Sequence, residues 1–210
     1  MRVEELPFTV RPVRSEAELA AVVRLRSERY GEKIPAMHEV LATPESWDRR
    51  DGALVLGAWD RADGTLLGSL RLHDGAAGPV PVEGDVTLPQ RAAGLHVGEA
   101  TRLVVRRGHP LVKAAFFKAI HRWAISVGVD FVVVAGRDGV WQAYATLLFE
   151  DVDPGLGEVR LGHVAEVPHR ILGLALDDAY ERWSATSQPL LDFICHTEHP
   201  DIDVTVPSLR

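Results

Sequence analysis

Residues 98–105 have the sequence Gly98-Glu99-Ala100-Thr101-Arg102-Leu103-Val104-Val105, and their alternation and β-branched content predict a strand. Glu99 and Arg102 are its only charged residues. Because side chains of a regular strand alternate between its two faces, residues three apart lie on opposite faces. A β-bulge between Glu99 and Arg102 would bring both to one side and leave a backbone N–H unpaired. The alternative is a half-buried strand with one surface ion pair.

A basic turn follows this strand, with the sequence Arg106-Arg107-Gly108-His109-Pro110, and it leads into a predicted helix over Leu111–Val127. Free N–H groups and the helix dipole point toward such a turn. The strand, the turn and the helix N-terminus together predict an anion site.

Composition limits the class of protein. The chain has 210 residues, of which 46% are hydrophobic and 25% charged, and its net charge is −7. These values are typical of a globular protein and argue against nucleic acid as the main partner. The lone cysteine, Cys195, excludes an internal disulfide and fits a reducing cytoplasm. No apolar run approaches the roughly 20 residues of a membrane span, and no signal pattern is visible. We therefore expect a soluble cytoplasmic protein of unknown oligomeric state.

Upstream of residue 98, the pattern predicts a strand at Phe8–Val13 and then a helix that begins at the capping box Ser15–Glu18. Arg26 falls on the inward face of this helix, either as a snorkelling surface residue or as the partner of an inward carboxylate. Residues 31–52 are predicted to form a loop with one short helix. Two strands, Ala53–Trp59 and Thr65–Leu72, are joined by a turn, and residues 74–98 are predicted to form an irregular functional loop or flap.

Downstream, the apolar run Phe131–Ala135 predicts a strand buried on both faces. The remaining predicted elements are a helix over Val140–Glu150, closing strands at Glu158–Val167 and Arg170–Leu174, and a helix over Asp177–Thr186. This order indicates an α/β fold with a central mixed twisted sheet flanked by helices. We expect one domain over 1–210, with a core at about 8–175 and a C-terminal helix and irregular tail over 176–210.

Several short stretches follow one another along the chain: Val10–Val13, Leu25-Arg26 with Tyr30, Asp48 with Asp51, Gly68–Arg71, Glu99–Val105, Phe116–Ala124 and Tyr144–Phe149. The first and the last of these resemble acyltransferases of the GNAT superfamily. The five between them are similar, more specifically, to N-acyl-homoserine-lactone (autoinducer) synthases and N-acyl amino acid synthases. The autoinducer enzymes place a tryptophan a few residues after the position of Tyr30, which this chain lacks, and their C-terminal third does not match Pro168–Arg210.

The resemblance implies a three-layer GNAT-like fold and an N-acyltransferase that moves an acyl group from a phosphopantetheine thioester to the amine of a small molecule, such as an amino acid. Residues 106–112 hold a single glycine, whereas CoA-dependent members carry a glycine-rich pyrophosphate loop. This difference favours an acyl carrier protein as donor. Because carrier proteins are acidic, a basic face at Lys113, Lys118 and Arg122 is the predicted docking site. No tightly bound cofactor is expected.

The predicted catalytic residues are Glu99, Tyr144 and Arg102. Glu99 would act as general base, directly or through a water, and the counterpart of Tyr144 in the superfamily gives a proton to the departing sulfur. Backbone N–H groups at the predicted bulge would hold the oxyanion, and the residues assigned to the oxyanion and acyl donor are Leu103, Val104, Val105, Arg106, Arg107 and Gly108. The residues assigned to the acceptor pocket are Arg26, Tyr30, Asp48, Asp51 and Arg71.

Each of these assignments has a plainer alternative. Tyr144 can be a core aromatic with a satisfied hydroxyl, and Asp48 and Asp51 can lie in a solvated loop. The stretch Cys195-His196-Thr197-Glu198-His199 contains metal-ligand types, but its spacing matches no standard zinc pattern, so no metal is predicted. The alternative functions are an acyl-CoA-dependent GNAT N-acetyltransferase and a catalytically silent GNAT-like binding module.

Overall fold

A computed structural model describes residues 2–89, 92–165 and 167–206. The strands are β1 Arg2–Val3, β2 Phe8–Pro12, β3 Ala53–Asp60, β4 Leu66–Asp74, β5 Val97–Val105, β6 Phe131–Gly136, β7 Glu150–Asp151, β8 Glu158–Arg160, β9 Pro168–Ala175 and β10 Thr197–Glu198. The helices are α1 Glu16–Gly31, α2 Ala36–Val40, α3 Pro110–Val127, α4 Trp141–Ala145 and α5 Ala179–Ala185, with a π-helix at Asp192–His196.

The central sheet has eight strands, ordered β2-β3-β4-β5-β6-β9-β7, with β8 beside β9. The β5–β6 pair is parallel and the other pairs of this sheet are antiparallel. The predicted mixed sheet is therefore confirmed. A separate pair joins β1 to β10.

Alternation along the strands sends the helices to opposite faces of this sheet. Val55 packs in a cluster with residues of α1, whereas its neighbours Leu54 and Leu56 pack with residues of α3. The same alternation on β6 places Val133 with α2 and Val132 with α3 and α5. The molecule has three layers: α1 and α2 on one face of the sheet, and α3, α4 and α5 on the other.

The two parallel strands part beyond their first four residues. β5 pairs with β6 from Val97 opposite Phe131 to Ala100 opposite Val134. Beyond this point β5 continues against β4 as far as Val105, and β6 continues against β9 as far as Gly136. The sheet therefore opens between β5 and β6, and none of the described strands lies against the β6-facing edge of residues 101–105.

A β-bulge interrupts β5 at Arg102, which is one of the two alternatives that the sequence leaves open. Arg71 lies opposite Thr101 and Ser69 opposite Val104, so two residues of β5 face one of β4. Arg102 has the left-handed φ of 55°. Ala100 packs on the α3 face and Val104 on the α1 face, which an unbroken strand would not allow. The bulge turns the Arg102 side chain to the α1 face, where Glu99 also lies.

Three predictions about elements are wrong in part. The helix predicted over Val140–Glu150 ends at Ala145, because the chain turns at Leu148, with φ 63°, before β7. The strand predicted over Glu158–Val167 ends at Arg160 and is followed by a 3-10 turn at Gly162–Val164. The tail after residue 188 is not irregular throughout, since it contains the π-helix and β10.

None of the helices that the structure describes is both long and apolar enough to cross a membrane.

Candidate active site

A cavity of about 310 Å³ lies where β5 and β6 part. Residues 100–105 of β5 form one wall, and Ala135 and His169 form part of the other. Tyr30 of α1 and Tyr144 of α4 also line it. Since α1 and α4 lie on opposite faces of the sheet, the cavity passes between the strands from one face to the other.

The cavity wall is cationic. Its charged lining residues are Arg29, Lys33, Arg102, Lys113 and Arg137, and no carboxylate lines it among the described residues. The chain as a whole has a net charge of −7. The local charge is therefore opposite to the overall charge and suits an anionic ligand.

A buried ion network lies on the α1 face beside the cavity. Asp48 accepts hydrogen bonds from Arg26 (2.6 Å) and Arg71 (2.9 Å). Glu45 accepts hydrogen bonds from Arg71 (3.1 Å) and from Arg102 Nε (2.8 Å). The Arg26 side chain is therefore the buried partner of a carboxylate rather than a snorkelling residue.

Charges within the network decide the ionisation of its members. Burial raises the pKa of Asp48, but Arg26 and Arg71 outweigh it and hold that pKa below its usual value. Burial also raises the pKa of Glu45, but Arg102 and Arg71 outweigh it, so the pKa of Glu45 is lowered as well. Burial, with Arg71 next to it, lowers the pKa of His73 to about 2, so this imidazole is neutral. Both carboxylates are therefore ionised at neutral pH.

Glu99 is fully buried and does not line the cavity. Its Oε2 accepts a hydrogen bond from the Val82 N–H at 2.8 Å, in the 3-10 helix Pro81–Gly84 that covers it. Burial raises the pKa of Glu99 to about 8, so the carboxyl is largely protonated at neutral pH. Glu99 therefore does not face the cavity directly, and its role as a base acting through a water stays a prediction.

Tyr144 reaches the cavity from α4 on the α3 face. Its ring packs edge-on against Phe117 and Phe149, with centroids 5.8 and 5.7 Å away. Burial raises its pKa, which keeps the phenol protonated. Its hydroxyl has no hydrogen bond to any residue that the structure describes, in contrast to the plainer prediction of a satisfied core tyrosine.

The structure places only part of the residues predicted to bind the oxyanion and the acyl donor at the cavity. Leu103, Val104 and Val105 line the cavity, along the edge of β5 that β6 has left. Arg106, Arg107 and Gly108 are exposed and do not line it. Arg106 instead donates to the carbonyls of Leu66 and Leu67, and Arg107 pairs with Glu32.

Three other predicted site residues lie elsewhere. Asp51 is exposed at the turn before β3 and is not part of the ion network. Lys118 is buried, and its ammonium donates to the carbonyls of Phe193 and Thr197, so it cannot present a charge to a carrier protein. Arg122 donates to the His199 carbonyl and fixes the C-terminal segment. Of the predicted docking residues, Lys113 is the one that borders the cavity.

Two residues of the site, Glu45 and His169, were not among the residues predicted from the sequence. The Glu45 N–H donates to the Asp48 carboxylate at 2.9 Å, and the Asp48 N–H donates to the Glu45 backbone carbonyl at 3.0 Å, around the 3-10 helix Ser46–Asp48. A carboxylate three residues before Asp48 is the sequence signal that could have found Glu45. His169 lies on a strand with no motif around it, and nothing in the sequence marks it.

No group of three or more His, Cys, Asp or Glu residues in the described ranges is arranged to hold a metal ion.

Solved structures with the same architecture include several N-acyltransferases. The N-acyl amino acid synthase FeeM from uncultured soil microbes is 15% identical with a TM-score of 0.66, over 83% of this chain and 93% of that one. The CoA-dependent acyl-homoserine lactone synthase BjaI is 16% identical with a TM-score of 0.56, over 96% and 95%. An acyl-CoA N-acyltransferase from Pseudomonas aeruginosa is 24% identical with a TM-score of 0.53, over 80% and 98%.

No protein-family model and no curated protein sequence matches the chain. The structural matches nevertheless show that it has the fold of the GNAT acyltransferases, as the sequence resemblance implies.

Proposed function

We propose that this protein is an N-acyltransferase that moves an acyl group from a phosphopantetheine thioester to the amine of a small molecule. The observation that carries the proposal is the cavity between the parted strands β5 and β6. It places an unpaired strand edge, a tyrosine hydroxyl and a cationic wall around one space. The GNAT fold of the N-acyl transferring neighbours supports the same reaction class.

The reaction joins the amine nitrogen to the thioester carbonyl carbon and releases a thiol. The N–H groups of Leu103 and Val105 point away from β4 toward the cavity, where β6 has left, and can hydrogen-bond the developing oxyanion. One such donor contributes roughly 3 kcal/mol to transition-state stabilisation. Tyr144, kept protonated by burial, donates a proton to the departing sulfur.

The acceptor lies on the α1 face, where Tyr30 and Arg102 border the cavity. The Arg102 guanidinium carbon is 5.6 Å from the centre of the Tyr30 ring, and Glu45 fixes the guanidinium from behind. The guanidinium of this wall suits the carboxylate of an amino acid. FeeM, named as an N-acyl amino acid synthase, is in keeping with this acceptor class.

For the donor we favour an acyl carrier protein. The cationic residues Arg29, Lys33, Lys113 and Arg137 border the cavity and would face the phosphate of the pantetheine arm and the acidic surface of its carrier. The single glycine in residues 106–112 offers little for a CoA pyrophosphate. The lone Cys195 is in keeping with the reducing cytoplasm as the site of the reaction.

The closest alternative is an acyl-CoA-dependent N-acyltransferase, because BjaI and the Pseudomonas aeruginosa neighbour are named for CoA donors. The alternative outside the enzymes is a catalytically silent GNAT-like binding module.

The test is thiol release from an acyl-carrier protein and from acyl-CoA, each with a panel of amino acids. We expect release with the carrier-bound thioester and an amide product by mass spectrometry. We expect Tyr144→Phe to lower kcat by about 10²-fold or more, whereas the matched change at the exposed Tyr180 leaves it unchanged. Thiol release with acyl-CoA but not with the carrier protein would favour the acyl-CoA-dependent N-acyltransferase. No thiol release with any donor would favour the silent binding module.

A further inference from the structure

His169 is a buried histidine on the cavity wall. It lies on β9 opposite Val159 of β8, and its relative exposure is 6%. Its Nδ1 is 2.7 Å from the carbonyl oxygen of Val167. Because a carbonyl can only accept a hydrogen bond, Nδ1 must carry the proton. The neutral ring then has its lone pair on Nε2, which makes no hydrogen bond to any described residue.

The surroundings keep this imidazole neutral. Burial is the main cause that lowers the pKa of His169. The hydrogen bond to the Val167 carbonyl opposes burial and raises the pKa, Arg137 and Arg102 lower it further, and Glu158 of β8 raises it. Among the described residues that line the cavity, the other titratable or charged groups are Tyr30, Tyr144, Arg29, Lys33 and Lys113. A neutral imidazole with an unoccupied lone pair is a proton acceptor at neutral pH.

Glu99 is less suited to the same task. It does not line the cavity, and its carboxyl, with a pKa of about 8, already carries a proton at neutral pH. An amine acceptor is an ammonium ion at that pH and must lose a proton before it can attack. The group that takes this proton has to be unprotonated and in contact with the ligand space.

We propose that His169 is the general base of the acyl transfer and accepts a proton from the acceptor ammonium on its Nε2. This inference rests on the proposed function and names a further catalytic residue for it. The ammonium gives one proton to Nε2, and the amine lone pair forms the C–N bond to the thioester carbonyl carbon. As the C–S bond breaks, the second nitrogen-bound proton replaces the one that Tyr144 gives to the sulfur. The imidazolium then returns its proton to water.

The experiment is the pH dependence of kcat/KM for His169→Gln, with His196→Gln as the control, since His196 is an exposed residue of the π-helix. In the wild type, an acidic limb is expected below pH 6.5, because the pKa of His169 is lowered from that value. His169→Gln should lose about 10²- to 10⁴-fold at pH 7. The loss should shrink about tenfold per pH unit as the amine loses its own proton in solution. His196→Gln should match the wild type.

A second acceptor separates catalysis from a structural role. Hydroxylamine is already neutral at pH 7, so it needs no base before attack, and the loss caused by His169→Gln should nearly disappear with it. An equal loss with both nucleophiles at every pH would overturn the inference, as would an unchanged acidic limb. Wild-type protein that forms no amide from any thioester would refute the proposed function instead.

Discussion

At the scale of single residues, Arg102 shows how one backbone conformation creates the site. A left-handed φ is costly for a residue with a Cβ, and it persists where the surroundings over-determine it. Here two hydrogen bonds to Glu45 hold the guanidinium. The sequence leaves open whether Glu99 and Arg102 share a face, and it does not show that only one of them reaches the cavity. Arg102 borders the cavity, whereas Glu99 lies behind it.

The buried Glu99 carboxyl should make stability depend on pH. Its pKa is about 8 in the folded protein against 4.5 ordinarily, so the folded state holds an extra proton between these values. Stability should therefore be full below pH 4.5 and be lost as the pH rises through 8, by a total on the order of a few kcal/mol. Glu99→Gln, which resembles the protonated carboxyl, should flatten this dependence in urea unfolding at pH 5, 7 and 9.

The control for this change is Glu28→Gln, since Glu28 is exposed on α1. It should keep the pH dependence of the wild type. Identical curves for Glu99→Gln and the wild type would mean that Glu99 is ionised in the folded state.

The residues of the ion network were predictable to different degrees. Arg26 stood out because a cation on the inward face of an amphipathic helix needs a partner. Asp48 was predicted from the resemblance to the autoinducer synthases. The same resemblance suggested Asp51, which the structure places in solvent. His169 could not be found, because neither periodicity nor spacing tells a buried strand histidine that faces a cavity from one that faces the core.

At the scale of elements, the packing of α3 on β5 depends on a glycine. A Cβ on Gly98 would lie 2.7 Å from the Trp123 ring, which is itself fully buried on α3. Gly98→Ala should therefore destabilise the protein by about 1–3 kcal/mol through overpacking. Gly84→Ala is the matched control, since nothing lies within 4 Å of its Cβ position.

Urea unfolding measures both glycine variants. The control should be unchanged or slightly stabilised, because alanine restricts the unfolded chain more than glycine does. Destabilisation of similar size in both variants would show that close packing at Trp123 is not the cause.

Elements with strong periodicity were predicted closely, and those defined by tertiary contacts were not. The predicted helix over Leu111–Val127 differs from α3 by one residue at its start. The helix predicted over Val140–Glu150 is much shorter, because the Phe149 N–H bonds back to the Tyr144 carbonyl and the chain turns into β7. Sequence periodicity carries no information about such a stop, which depends on pairing with β9.

At the scale of the whole molecule, the C-terminal segment closes the fold against its beginning. β10 lies parallel to β1, and Ile202 forms a bridge to Val10 of β2. The Lys118 ammonium and the Arg122 guanidinium bind carbonyls of this segment from α3. Contacts between residues nearly 200 positions apart leave no periodic trace, which explains the incorrect prediction of an irregular tail. The extent of one domain over 1–210 stays a prediction.

Asp201 is a buried polar residue that helps to hold the C-terminal segment against the beginning of the chain. Its Oδ2 accepts a hydrogen bond from the Leu6 N–H at 2.6 Å, and its other oxygen pairs with Arg61. Because Asp201 and Leu6 are both buried, Asp201→Ala would leave that N–H without a partner. We expect a loss of about 1–3 kcal/mol in the free energy of unfolding.

Asp203→Ala is the matched control two residues away, where the carboxylate pairs with the exposed Arg14 and should contribute less than about 1 kcal/mol. Equal effects of the two substitutions would mean that the C-terminal segment does not hold the first strands in place.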